Sequence, residues 1–377
     1  MNHKSIKAVI VLLAMLAALP ASESKRARDY GIIIGTMKTG PDNSITDVQG
    51  VKTSHVTLNK GNDMRTGVTA ILPHEGNIFQ QKVPAAIYIA NGFGKLAGYS
   101  QVEELGSIET PIILTNTLSV PAAADALIDY TLSFEKNKNV RSVNPVVGET
   151  NDGRLNNIQA RYVKKNHVIE AIKNADSGPV PEGCIGAGTG TICFGYKGGI
   201  GTSSRILPKE QGGWTVGVLV QTNYGGSLKI AGINAGSELK KMKENNSGDG
   251  SCMIVIATDA PLRARNLKRL AKRAVFGIAQ TGGNCSNGSG EYVIAFSTAE
   301  ELRIPYSRGS SFFVNGKELR NDRMTPLFEA VIEAVEEAVI NSLFAAETMQ
   351  GRGGLIIESL PVKEALDVLK SHNVIRP

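Results

Sequence analysis

Short apolar runs, each closed by a turn residue, punctuate the chain. Gly31-Ile32-Ile33-Ile34-Gly35, Gly67-Val68-Thr69-Ala70-Ile71-Leu72-Pro73, Ala85-Ala86-Ile87-Tyr88-Ile89-Ala90 and Pro111-Ile112-Ile113-Leu114-Thr115-Asn116 are of this kind, as are residues 214–221 and 292–296. They are too short for core helices and mostly rich in β-branched side chains, so they predict strands of a largely buried sheet. Elsewhere apolar positions recur every three or four residues. That spacing predicts helices over 120–137 and 167–175, along 263–278, and over 363–369. Another begins at Thr325-Pro326, a favourable helix start, and continues through Leu327, Val331, Ala334, Val335, Ala338 and Val339. The basic residues within 263–278 read as a solvated face, and residues 25–30 as a charged leader. Strands and helices mix without a βαβα alternation or a fixed-period repeat, which points to an α+β layered domain.

One boundary is sharper than the rest. Asn245-Asn246-Ser247-Gly248-Asp249-Gly250 is wholly polar or glycine, and Ser251-Cys252-Met253-Ile254-Val255-Ile256-Ala257 is apolar and β-prone. A loop thus feeds a buried strand, with a hydroxyl at the seam. Glycine leaves its carbonyl open and tolerates unusual φ/ψ, so the Ser251 hydroxyl could attack the Gly250 carbonyl. Cleavage there would leave Ser251 with a free α-amine beside its own Oγ, a nucleophile and a nearby base in one residue. The plain alternative is a linker followed by an ordinary core strand. A second glycine-rich stretch, Gly186-Ala187-Gly188-Thr189-Gly190 with Gly195, Gly198, Gly199 and Gly201, has neither GK[ST] nor a clear strand–helix unit with an acid about 20 residues on. It marks close backbone approach rather than a phosphate loop.

Composition narrows the classes. The 377 residues carry a formal charge of +6, too mild and scattered for nucleic acid. Lys4 and Lys7 precede an apolar run over 8–19, and Leu19-Pro20-Ala21 resembles a small-residue cleavage site. Residues 1–21 therefore read as a signal peptide, too short to span a bilayer. The mature chain is expected to be exported, periplasmic where the cell has a periplasm, and free of the membrane. Cys184, Cys193, Cys252 and Cys285 form no CxxC pair and read as buried free thiols, with Cys252 or Cys285 able to line a site. His3, His55, His74, His167 and His372 stand apart from the seam, and no HExxH occurs, which counts against a histidine triad and a metal hydrolase.

Six stretches in order complete the picture: Gly148-Glu149-Thr150-Asn151-Asp152-Gly153, Gln221-Thr222-Asn223-Tyr224-Gly225, Gly250-Ser251, Ala257-Thr258-Asp259-Ala260-Pro261-Leu262, Gly288-Ser289-Gly290-Glu291 and Glu347-Thr348-Met349-Gln350-Gly351-Arg352. Together they resemble the DmpA/β-peptidyl aminopeptidase family, also called L-aminopeptidase/D-esterases, over about residues 31–354. The resemblance implies a precursor that cuts itself before a serine, here into residues 22–250 and 251–377 of one catalytic domain. It implies a four-layer αββα sandwich, similar to N-terminal-nucleophile hydrolases but with different connectivity. It further implies removal of an N-terminal residue from short peptides, amides or esters without cofactor or metal, and assemblies of several αβ units. Some members take L-α-residues and D-alanine esters or amides; others take β-amino acids.

Carried over residue by residue, the resemblance makes Ser251 the nucleophile of an acyl-enzyme and Gly250 the new C-terminus. Ser289 would relay or orient the proton and Glu291 fix that network, with the Ser251 amine as the other candidate base. Asn223 would donate its amide to the oxyanion. Glu149 would hold the substrate's ammonium group, restricting cleavage to the first residue. Asn151 stands where some relatives have an aromatic residue, which reshapes the substrate pocket. Read without the resemblance, Ser289 and Glu291 lie in a glycine-rich turn, Asn223 in a post-strand turn, and Glu149 in a solvated loop. Two other classes stay open. A self-cleaving acyltransferase of the ornithine acetyltransferase type would be expected to use threonine and to lack a signal peptide. A periplasmic solute-binding protein explains export but not the seam.

Overall fold

A computed structural model describes residues 26–239, 250–307, 312–313 and 316–375; the expected signal peptide over 1–21 and the polar stretch 245–249 lie outside the described residues. Two sheets stack face to face, each with helices on its outer side. The first runs in the order β1 (Lys52–Lys60), β2 (Met64–Leu72), β6 (Ile112–Asn116), β7 (Val146–Thr150) and β4 (Leu96–Ala97). The second runs β10 (Ile200–Ile206), β11 (Thr215–Asn223), β12 (Gly250–Thr258), β13 (Ser289–Ser297), β3 (Gln81–Gly92) and β14 (Ile304–Pro305), with β5 (Ser107–Ile108) also on β3. Only the β6–β7 and β12–β13 pairs within these sheets are parallel. Two short hairpins stand apart, β8–β9 (Ile192–Cys193, Tyr196–Lys197) and β15–β16 (Met349–Gln350, Ile356–Ile357).

Helices α2 (Val120–Leu132) and α3 (Lys165–Lys173) cover the first sheet, packing on Val68, Ala70, Ile113 and Val147. Helices α5 (Ala264–Ala271), α6 (Ala274–Gln280) and α7 (Thr325–Phe344) cover the second. Shorter α1 (Tyr99–Leu105) and α4 (Ala235–Glu238), with C-terminal α8 (Val362–Ser371), complete the set. The expected αββα sandwich is therefore present. Side-chain alternation assigns each strand residue to a layer. Along β12, Met253, Val255 and Ala257 meet Ile71, Ile112, Leu114 and Val146 of the first sheet, while Cys252, Ile254 and Ile256 meet the helices. Both faces of β12 are thus dry, which is why its sequence reads as an unbroken apolar run. The glycine-rich stretch behaves as expected: a Cβ on Gly201 would stand 1.9 Å from the Ala338 carbonyl, so only glycine lets α7 lie this close to β10.

Three local readings change. Residues 31–35 form no strand; Ile32 and Ile34 are buried from an irregular segment and Ile33 is 57% exposed. Apolar content alone did not supply a pairing partner. The helix expected along 263–278 is two helices, broken at Lys272-Arg273, and its charges are not simply solvated. The Arg273 and Arg269 guanidinium groups lie 4.0 and 5.2 Å from the Phe328 ring centre, and Lys268 pairs with Glu103. Finally, the charged leader is anchored: Arg28 pairs with Glu337 at 2.6 Å and Arg26 with Glu182 at 2.6 Å.

Candidate active site

The C-terminal ends of β3, β6, β7 and β11 converge with the N-terminal ends of β12 and β13 around a cavity of about 310 Å³. Ser251 opens β12 there, paired with Asn223 on one side and Gly290 on the other. It is 7% exposed, and alternation puts it on the same face as Met253, toward the first sheet. Gly250 has φ +151°, and a Cβ on it would stand 2.0 Å from the Asn223 carbonyl oxygen. Residue 250 must therefore be glycine for the serine to reach this position.

Asn223 ends β11 beside Ser251 and also lines the cavity. The Ile192 N–H donates to its Oδ1 at 2.9 Å, which leaves the Nδ2 group for the cavity. Glu149, expected from sequence alone to be solvated, is instead 2% exposed within β7. Its Oε1 accepts the Lys95 backbone N–H at 2.8 Å and its Oε2 accepts the Thr117 hydroxyl. Burial pushes its pKa above the usual carboxylate range; the Thr117 and Lys95 hydrogen bonds and the Lys95 charge oppose this without cancelling it. A buried acid with neutral donors and, among the described residues, no hydrogen-bonded cation is suited to receive one. Asn151 lines the mouth, where its Oδ1 accepts the Gly153 N–H at 2.9 Å and closes a small turn.

Ser289 and Glu291 are buried in β13, not in a turn, and the Ser289 hydroxyl donates to Glu291 Oε1. They do not line the cavity. Their register partners are Gly250 and Cys252, so alternation turns them to the helix side of the sheet, opposite the Ser251 side chain. Burial pushes Glu291 up, opposed by the Ser289 hydroxyl and the Cys285 thiol. Neither cysteine lines the cavity: Cys252 packs against the helices, and Cys285 stands behind Glu291, its thiol pushed up to about 12 by burial and then by the Glu291 charge. All four cysteines are free.

Sequence reasoning missed Thr117, Lys95, Ile192, Phe93 and Arg154, all in the cavity wall. Phe93, Lys95 and Thr117 follow the ends of strands expected from the sequence; Arg154 and Ile192 carry no such signal.

Comparison with known proteins gives the family of the chain. The sequence profile of peptidase family S58 matches residues 43–357. The chain is 40% identical to a β-peptidyl aminopeptidase, BapA, of Sphingosinicella microcystinivorans, over 99% of this chain and 98% of that protein. Its fold is similar to that of the PH0078 protein of Pyrococcus horikoshii OT3 (TM-score 0.87, 48% identity, covering 93% and 99% of the two chains). It is also similar to the L-aminopeptidase D-Ala-esterase/amidase of Ochrobactrum anthropi, described as a prototype serine aminopeptidase with a variant of the Ntn hydrolase fold (TM-score 0.84, 36% identity, covering 93% and 99%). With profile, sequence and fold in agreement over nearly the whole described chain, the protein belongs to peptidase family S58 and is a serine aminopeptidase of the N-terminal-nucleophile kind.

Proposed function

We propose that this aminopeptidase cuts its own Gly250–Ser251 bond and then uses Ser251 to release N-terminal residues from short peptides, amides or esters. The observation that carries the reading is that one cavity holds a strand-end serine, an asparagine amide and a buried carboxylate. Glu149 would take the substrate's ammonium group and so fix which bond lies over Ser251. The Ser251 Oγ attacks the carbonyl carbon, and its proton passes to the freed α-amine of the same residue. Ser289, held by Glu291, would orient that amine from the helix side of the sheet. Negative charge developing on the carbonyl oxygen meets the Asn223 Nδ2 group. Collapse of the tetrahedral species returns the proton to the leaving amine; water then resolves the acyl-enzyme by the same steps.

β-Amino acyl substrates are the first choice, because the 40% identical relative is named for them; L-α-residues and D-alanine derivatives follow from the Ochrobactrum protein's name. The chain also reads as exported after removal of residues 1–21. Assembly of several αβ units has support in an exposed groove flanked by Ile33 and Phe276, 57% and 56% exposed.

Intact mass with N-terminal sequencing tests the first step: two chains are expected, the smaller beginning Ser251-Cys252-Met253. A single chain would withdraw the nucleophile assignment. Turnover is then measured on amides of β-alanine, L-alanine and D-alanine, and a processed protein that hydrolyses none of them would sink the proposed activity.

A further inference from the structure

Among the described residues, three charged side chains line the cavity, and their arrangement is unequal. Glu149 is deep, while Lys95 and Arg154 are exposed at the rim. Lys95 already attends the acid: its backbone N–H bonds to Glu149 and its charge acts on that carboxyl. Arg154, in the turn after β7, makes no ion pair or hydrogen bond with any described residue. An arginine at the edge of a cavity, with its five donors uncommitted, presents a planar fork that matches a carboxylate in a bidentate pair.

The size of the cavity says what would bring that carboxylate. About 310 Å³ is at the low end for ligand pockets, room for one or two residues. Two extended residues span about 7 Å. A dipeptide has an ammonium group at one end and a carboxylate at the other, the mirror image of a deep acid and a rim arginine. Amides and esters of the same residue lack the second charge.

On the reading that Glu149 holds the ammonium group, we infer that Arg154 receives the free α-carboxylate of the residue following the scissile bond. The preferred substrates are then dipeptides with a free C-terminus, ahead of the corresponding dipeptide amides. Arg154 thus selects the leaving side of the substrate, and Glu149 the acyl side.

The test compares kcat/KM for β-alanyl-L-alanine and β-alanyl-L-alaninamide, with L-alanyl-L-alanine and its amide as a second pair. The wild type is expected to favour the free acid. In Arg154→Ala the acid-to-amide ratio should fall about 10- to 100-fold, mainly through KM, as expected for one lost charge-assisted pair. Arg154→Lys should keep part of the ratio. An unchanged ratio in Arg154→Ala overturns the inference. So does an equal fall in Lys95→Ala, which would assign selection to rim charge in general. Both outcomes are read from the acid-to-amide ratio and leave the proposed hydrolysis by the wild type standing, whereas a processed wild type that hydrolyses none of the four compounds would overturn the proposed function together with this inference.

Discussion

Glu337 on α7 and Glu149 on β7 are both buried carboxylates, yet their surroundings push them in opposite directions. Burial raises Glu337, but hydrogen bonds from Arg28, the charges of Arg205 and Arg28, and the Asn43 amide outweigh it and hold its pKa below the usual range. Arg205 Nη2 lies 2.7 Å from it and is itself fully buried. Among the described residues Glu149 is hydrogen-bonded by a hydroxyl and a backbone N–H, with the Lys95 charge acting more weakly, and burial wins. The first acid is complete within the fold. The second is one cation short, and its missing partner has room to enter from the cavity. Buried charge is thus structural where its partners are supplied by the chain, and functional where they are left for a ligand.

The sharpest break in this contrast comes from Ser251, the proposed nucleophile, beside the unfinished site. Ser251→Ala should abolish processing, visible as one band, and lower turnover at least 10⁴-fold with little change in Tm. Next, Glu337→Ala should destabilise the fold by about 3 kcal/mol, because it takes a fully buried carboxylate from Arg28 and from buried Arg205, leaving Arg205 with Glu333 at 2.8 Å; urea unfolding would measure it, and a loss under 1 kcal/mol would contradict the structural reading. Glu149→Gln should do the reverse, keeping Tm while kcat/KM falls about 10- to 100-fold. The same residue sets a pH limb. In the proposed role only ionised Glu149 attracts the ammonium group, so kcat/KM should fall about tenfold per unit as pH drops below its raised pKa. Glu149→Gln should flatten that limb; a limb that persists would belong to Glu291, which burial also raises.

The smallest effect is expected at Glu336, the neighbour of Glu337, whose pKa is pushed to about 7 by burial, with Glu333 and Glu337 adding to the shift and Arg205 opposing it. Its folded pKa exceeds the unfolded one, so its contribution is present at low pH and is lost as pH rises through about 7. Glu336→Gln should then raise Tm by about 2 °C or more at pH 8, and less at pH 5.5.

Much of the sandwich was legible because each layer leaves a local trace. β12 carries apolar residues on both faces, and α7 keeps its three-to-four spacing for 20 residues. Ile32 to Ile34 misled because β-propensity does not name a partner. The site was legible in a different way. Ser251 was visible at a change of composition, but Asn223, Glu149, Ser289 and Glu291 stood out only through family motifs, and without them each had a blander reading. Arg154 and Ile192 left no trace, since only the convergence of strand ends far apart in sequence brings them to one cavity.

The seam has a consequence for how the two pieces would stay together. After a cut at Gly250–Ser251, β12 and β13 would belong to the smaller chain and their outer neighbours β11 and β3 to the larger. The smaller chain's two strands are therefore clasped between two strands of the larger, like a hand closed from both sides. Pulling them apart would require unzipping two ladders at once, with no disulfide involved. The processed pair should travel as a single particle through every native separation, and its halves should part only in denaturant. The new amino terminus is consequently born inside a sheet, already held in place.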